Sequence, residues 1–229
     1  MFADLLYEDI RMRIKICGVK TETDIDVIVE AGADAAGFLV GQLHASPDFI
    51  LPSTAARLVG KLPPYLVPVL VTQLTESEEI LELVFKSGIN TVQLHDYISL
   101  NELKSLRAAL PASGKIILAV NIADNKYSTE LDTYYPSIDA VLLDSCNPAI
   151  GGMGGTGLVH DWDASFEFVK KCVLPVTLAG GLSPDNIVSA IRKVKPYAVD
   201  ANSFLKNSQG ERDLQACCEF VIKARNAIA

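Results

Sequence analysis

Short runs of β-branched and apolar residues recur along this chain, separated by stretches whose apolar positions repeat with helical spacing. "AGADAAGFLV" (31–40), "SGINTVQLH" (87–95), "SIDAVLLD" (137–144) and "KPYAVDA" (195–201) share one grammar. Each closes a helix-like segment, turns through small or polar residues and enters an apolar run. One further run lies between each pair, at "YLVPVLV" (65–71), "KIILAV" (115–120) and "LPVTLAG" (174–180). With "RIKIC" at 13–17 the runs number eight. They are continuously apolar rather than alternating, as in parallel strands covered on both faces.

The stretches between them are amphipathic. "TETDIDVIVEAG" sets Ile25, Ile28 and Val29 on one helical face, and "ESEEILELVFKSG" does the same with Ile80, Leu83 and Val84. Thr21 and Ser99 are predicted N-caps, Thr75 with Glu78 has the spacing of a capping box, and Pro184 is predicted in the first turn of a later helix. Eight strand–helix units predict an α/β protein, a single (β/α)8 barrel over 13–229 with an N-terminal extension at 1–12. A doubly wound open sheet uses the same units. The even spacing and the lack of an early G-x-G-x-x-G favour the barrel.

Composition narrows the choice of partner. The 229 residues carry a formal net charge of −8, and no window is rich in Lys or Arg. A nucleic-acid footprint or a polybasic membrane patch is therefore not expected. An anionic ligand would have to be held locally, by backbone N–H groups at loops and helix starts. No apolar run reaches the ~20 residues that span a bilayer. "MFADLLYEDIRM" has acids where a signal peptide is basic, so a cytoplasmic protein is expected. The five cysteines are odd in number and form no CxxC pair, which predicts reduced thiols rather than disulfides or zinc. No His/Asp/Glu spacing suggests a metal, and no cofactor is expected.

In such a barrel the chemistry lies at the C-terminal ends of the strands. Those ends read Cys17-Gly18, the loop 41–48, Thr72-Gln73, Gln93 and His95, Asn121, Asp144, Gly180-Gly181, and Asp200 to Ser203. Asp144 closes "AVLLD" and is followed by "SCNPAIGGMGGTG", a glycine-rich loop too long for a tight connection. The pair favours a catalytic acid at Asp144 over a loop cap, with Gly155 and Gly157 in the covering loop as substrate contacts. Gln93 and His95 are further substrate-side candidates, although His95 also fits a histidine satisfied within the barrel mouth. "LAGGLSPDN" and "VDANS" end the last two strands, where this fold commonly holds a phosphate. Gly180, Gly181, Asn202 and Ser203 are the candidate phosphate residues. His44 and His160 sit in loop contexts and are expected to be exposed. Cys146 is expected on a loop, and Cys172, Cys217 and Cys218 in helices as packing residues. Cys17 alone reads equally as a small core residue or as a reactive thiol at the rim of a site.

Taken in order, "KICG" (15–18), "EAGADAAGF" (30–38), "VQLH" (92–95), "LLDS" (142–145), "GGTG" with "DW" (154–162), "LAGGLSPDN" (178–186) and "PYAVD" (196–200) resemble the phosphoribosylanthranilate isomerase family of tryptophan biosynthesis. The resemblance runs from Arg13 over nearly the whole chain. It implies a cofactor-free Amadori rearrangement of N-(5-phosphoribosyl)anthranilate, an aminoaldose, to an aminoketose, catalysed by an acid and a base. It gives the base to Cys17 and the acid to Asp144, and it gives the substrate phosphate to Gly180, Gly181, Asn202 and Ser203. It implies a phosphorylated-sugar substrate and a monomer or homodimer. Three positions depart from the family pattern. Asp48 stands where an arginine usually faces the anthranilate carboxylate, Leu158 replaces a lysine, and Phe204 replaces a glycine beside the phosphate. On sequence alone Asp48 is expected to repel a carboxylate. A divergent relative using another phosphorylated sugar, or a non-catalytic barrel serving as a binding protein, are the alternatives.

Overall fold

The computed structural model describes residues 11–121, 130–144 and 161–227, together with the backbone of 146–147 and 152–153. Eight parallel strands close on themselves: β1 (Arg13–Cys17), β2 (Ala35–Leu39), β3 (Val67–Thr72), β4 (Thr91–Leu94), β5 (Lys115–Asn121), β6 (Ala140–Asp144), β9 (Val176–Leu178) and β10 (Ala198–Ala201). A two-stranded antiparallel piece, β7 (Cys146–Asn147) and β8 (Gly152–Met153), is inserted between β6 and β9, so Cys146 lies in a short strand rather than the expected loop. Helices α1 (Glu22–Ala31), α2 (Pro52–Val59), α3 (Ser77–Ser87), α4 (Leu100–Ala109), α5 (Leu131–Tyr134), α6 (Trp162–Lys171), α7 (Ile187–Val194) and α8 (Leu214–Asn226) alternate with the barrel strands. The expected (β/α)8 barrel is thus the architecture found. Residues 1–10 of the expected extension lie outside the described residues, while Met12 is buried in the core.

Strand side chains alternate between two environments, and that alternation builds the site. Ile14 and Ile16, Ala36 and Phe38, Val92 and Leu94, and Val141 and Leu143 face outward into one cluster with the helices. The other set faces the barrel axis. Its apolar members form two small clusters, Cys17 with Val69 and Val71, and Ala119 with Leu142 and Ala179. Its remaining members are polar: Lys15, Gln93, Asp144 and Asp200 are all buried. Runs that look uniformly apolar in sequence therefore carry a polar residue at selected inward positions.

Local capping follows the sequence at α1. Thr21 accepts from Asp24 N at 3.1 Å, and the Asp24 carboxylate accepts from Thr21 N at 2.9 Å, a reciprocal capping box. Ser99 caps α4 by accepting from Glu102 N. Two expectations are corrected. α3 starts at Ser77, not at Thr75, because the Glu102 carboxylate reaches over from α4 and accepts from Ser77 N and Oγ at 2.8 and 2.7 Å. The orphan N–H is satisfied across helices, so no local box is needed. Pro184 precedes α7 rather than opening it. The segment 183–186 is a turn in which Asn186 accepts from Ser183 N at 2.9 Å and donates to Gly181 O at 2.8 Å. "SPDN" thus shapes the double-glycine loop.

Candidate active site

One cleft of about 780 Å³ opens at the C-terminal ends of the strands. Cys17, Gln93, His95, Asp144, Gly180, Gly181, Asn202 and Ser203 all line it, so eight of the residues singled out in the sequence share one wall-to-wall space. Gly155 and Gly157, and with them Leu158 and His160, lie outside the described residues. His44 is exposed, as expected, on the rim of the same cleft. Cys217 is buried within α8, Cys218 is half-buried on the same helix, and Cys172 caps the end of α6, consistent with packing roles.

Strand alternation points Cys17 inward, and a missing side chain gives it room. Gly37 is its register partner on β2, and a methyl group there would stand 2.6 Å from Cys17 Sγ and 3.1 Å from Lys15 Cε. Two residues back on the same strand, Lys15 shares the inward face and meets Asp200, its register partner on β10, at 2.5 Å. Burial opposes the Lys15 charge, but Asp200 and Cys17 outweigh it and hold the ammonium above its ordinary range. Burial likewise raises the Asp200 carboxyl, against the pull of Lys15. The Cys17 thiol is pushed up to about 11 by burial, with Lys15 pulling the other way. Near pH 7 Cys17 is therefore a thiol with a fixed cation beside it. Asp200 Oδ1 and Gln93 Oε1 are buried without a partner among the described residues, and both residues face the cleft.

On the opposite side, Asp144 ends β6, and its Oδ2 lies 3.4 Å from His95 Nε2. Burial, together with the charge on Lys15, lowers the His95 pKa to about 4, so the ring is neutral near pH 7. The Gln93 amide sits 3.2 Å from His95 Nδ1. A donating amide there assigns the ring proton to Nε2, directed at the Asp144 carboxyl. His95 is satisfied in the barrel mouth and also touches the candidate acid.

The phosphate loops follow the neighbouring strands β9 and β10 and line the same cleft. Gly180 and Gly181 take φ of +81° and +67°, which glycine adopts without cost. Asn202 and Ser203 lead into a single 3-10 turn over Ser203–Leu205. Phe204 sits in that turn with an ordinary backbone, since Lys195 is the one non-glycine with positive φ among the described residues. The turn therefore does not require the glycine that the family carries there.

Asp48 differs most from the expectation. Rather than standing as a free charge in the cleft, it is 3% exposed and accepts from Lys206 Nζ through both oxygens at 2.5 Å. Asn202 Nδ2 donates to it at 2.8 Å, and Lys20 Nζ lies 3.4 Å away. Burial works against this carboxylate, but Lys206 and Asn202 more than offset that and hold its pKa below the ordinary range. The repulsion anticipated from its sequence position is cancelled by a partner 158 residues along the chain. Arg57 belongs to α2 and pairs with Glu22 outside the cleft.

Lys15, Lys206 and Arg212 are the residues that sequence reasoning passed over. Lys15 carried a signal, a cation flanked by Ile14 and Ile16 in a buried strand. Asp200, between Val199 and Ala201, carried the matching one. Arg212 is buried and donates to Cys17 O at 2.6 Å and Asn202 O at 3.0 Å, tying the end of β1 to the phosphate loop. Nothing local in "GERDL" announces that. Among the described residues no cluster of three or more His, Cys, Asp and Glu is arranged to hold a metal, and no helix is long and apolar enough to cross a membrane.

Residues 14–223 match the family model for N-(5'phosphoribosyl)anthranilate (PRA) isomerase. The chain is similar to N-(5'-phosphoribosyl)anthranilate isomerase 2 of Methanosarcina mazei, at 43% identity over 94% of this chain and 95% of that protein. The phosphoribosyl anthranilate isomerase of Thermotoga maritima superposes with a TM-score of 0.79 at 31% identity, covering 94% of this chain and 99% of its own. A phosphoribosyl anthranilate isomerase solved with reduced 1-(o-carboxyphenylamino)-1-deoxyribulose 5-phosphate superposes with a TM-score of 0.76 at 30% identity, over 94% of this chain and 99% of that one.

Proposed function

The chain belongs to the N-(5'-phosphoribosyl)anthranilate isomerase family, intramolecular oxidoreductases that convert an aldose to a ketose, and from that premise we propose how its own residues run the rearrangement. The substrate phosphate rests on Gly180 and Gly181 on one side and Asn202 and Ser203 on the other. Asp144, as the acid, gives a proton to the ribose ring oxygen, and the C1′–O bond breaks as the nitrogen lone pair forms a C1′=N iminium. Cys17, its own thiol proton released to solvent, then takes the proton from C2′ as the thiolate. The C–H pair becomes the C1′=C2′ bond, and the iminium π pair returns to nitrogen. Loss of the 2′-hydroxyl proton and protonation at C1′ complete the ketone. Asp200 Oδ1 is the acceptor available to a substrate hydroxyl during this step.

Magnitudes order these events. With a thiol pKa of about 11, forming the thiolate at pH 7 in the free protein costs about 5 kcal/mol. An iminium about 4 Å from the sulfur returns about 4 kcal/mol at an effective dielectric of 20. An iminium formed before proton abstraction offsets much of that cost, which favours ring opening as the first step. Lys15 supplies the permanent part of that field, and the substrate cation supplies the rest.

The observation that carries this reading is the meeting of Cys17 and Asp144 on one cleft with two phosphate-type loops. Isotope tracing tests it. Turnover in D2O is expected to place one deuterium at C1′ of the product, and C2′-deuterated substrate in H2O to lose its label. Transfer of the C2′ deuterium to C1′ in full that persists at the wild-type rate in Cys17→Ser would mean the hydrogen moves without the thiol and would overturn the assignment. We also place the protein in the cytoplasm, where Cys17, Cys172, Cys217 and Cys218 remain free thiols.

A further inference from the structure

Phosphoribosylanthranilate is anionic at both ends, with a phosphate on the sugar and a carboxylate on the ring. The phosphate loops account for the first charge. In a chain of net charge −8 the second also needs a local cation, and the position that carries an arginine in the family holds Asp48.

Asp48 is fully engaged. Its two oxygens accept from Lys206, Asn202 and Lys20, which leaves it no role as an open charge facing the ligand. What it does is collect lysines at the cleft wall. Two ammonium groups and one carboxylate leave one net positive charge there. Lys206 directs two of its three N–H bonds at Asp48, and Lys20 divides its contacts between Pro47 O at 3.3 Å and Asp48. Both lysines line the cleft. Lys15, Arg57 and Arg212 do not line the cleft, so among the described residues Lys20 and Lys206 are the lysines and arginines that do.

The mount is also rigid. Lys206 bridges to Arg212 across a short loop in which Asn207 N donates to Glu211 O at 2.9 Å and Gly210 N to Asn207 O at 3.0 Å. On the facing strand end, Gly18 has φ of +78°, and a methyl group there would fall 2.8 Å from Asp48 Oδ2. The close approach of β1 thus fits Asp48 in place from the other side.

We propose that Lys206, positioned by Asp48 and assisted by Lys20, receives the anthranilate carboxylate in this protein. Where the resemblance expects an arginine on the β2 loop, the cation here comes from the loop after β10, and the β2 loop supplies the acid that holds it. The inference rests on phosphoribosylanthranilate being the substrate, and it names the residues that select for it.

A binding cycle tests this separately from turnover. Two ligands are titrated by calorimetry, reduced 1-(o-carboxyphenylamino)-1-deoxyribulose 5-phosphate and its phenylamino counterpart lacking the carboxylate. Each is titrated into the wild-type protein, Lys206→Met and Lys20→Met, with circular dichroism confirming that each variant is folded. Wild type is expected to prefer the carboxylated ligand by about 10- to 100-fold, as for a charge-assisted hydrogen bond. Lys206→Met is expected to erase most of that preference, leaving the carboxylated and phenylamino ligands bound about equally; any loss common to both from the unpaired Asp48 carboxylate does not enter the ratio. Lys20→Met, at a half-buried site that leaves Lys206 on Asp48, is expected to reduce the preference partially, and Lys206→Arg to keep it. Equal weakening of both ligands in Lys206→Met would assign the lysine to the phosphate or to loop structure and overturn the proposal, as would a wild-type protein indifferent to the carboxylate. Turnover of phosphoribosylanthranilate by wild type is measured alongside: its failure counts against the substrate, whereas the binding cycle decides the role of Lys206.

Discussion

Replacing Lys15 by methionine separates two things that one buried ion pair does. Lys15 and Asp200 meet at 2.5 Å with side chains each 7% exposed, so removing the ammonium leaves a carboxylate with almost no water to take its place. Breaking such a pair costs about 3–5 kcal/mol. Protonation of Asp200, whose carboxyl burial already raises, recovers part of it. The double variant Lys15→Met/Asp200→Asn removes both charges, and its stability is expected within about 1–2 kcal/mol of wild type, because a neutral pair carries no desolvation debt. Catalysis is expected to behave differently. Cys17 loses the one fixed cation that lowers the cost of its thiolate, so kcat is expected to fall about 100-fold or more in both variants. Urea unfolding gives the stability, and the loss of substrate fluorescence gives kcat. Iodoacetamide modification of Cys17 against pH reads the thiol directly. In wild type the rate is expected to climb about tenfold per pH unit from 7 to 10, since only the thiolate reacts and its pKa lies near 11. In the double variant the same slope is expected, with a lower rate at every pH. Recovery of kcat together with stability in the double variant would make Lys15 a structural residue and refute the argument.

Gly37→Ala places a methyl group 2.6 Å from Cys17 Sγ, so kcat is expected to fall by at least about tenfold while urea stability drops by about 1–3 kcal/mol, measured on the same preparation. His95 gives an acid-stability signature. Its unfolded imidazole binds a proton near pH 6.5 and its folded one only near 4, so its contribution is complete above pH 6.5 and is lost as pH falls through 4. The loss is about 3 kcal/mol, and His95→Asn is expected to flatten that part of a urea-stability curve taken from pH 7.5 to 3.5.

Most of the fold is legible in the chain because continuous apolar strands and amphipathic helices follow from burial on two faces, a property of each segment by itself. The eight strands, the caps at Thr21 and Ser99, and the strand-end positions of Cys17, Asp144 and Gly180-Gly181 are of that kind. What escaped depends on partners far along the chain. Asp48 reads as a repelling charge until Lys206 is folded onto it, nothing local marks Arg212 until it reaches Cys17 O, and Thr75 reads as a cap until Glu102 arrives from the next helix. Lys15 lies between these cases. Its charge in an apolar strand was visible, but its meaning required Asp200 at the same register on β10.

The central claim is that Cys17 and Asp144 act as base and acid on phosphoribosylanthranilate. Its most direct test is turnover of freshly prepared substrate, followed by loss of fluorescence, in wild type, Cys17→Ser and Asp144→Asn. Wild type is predicted to turn over at about 1–10³ s⁻¹. Each variant is predicted to lose about 10²–10⁴-fold in kcat while its KM changes little. An inactive wild-type protein, or variants that retain wild-type kcat, would contradict the account.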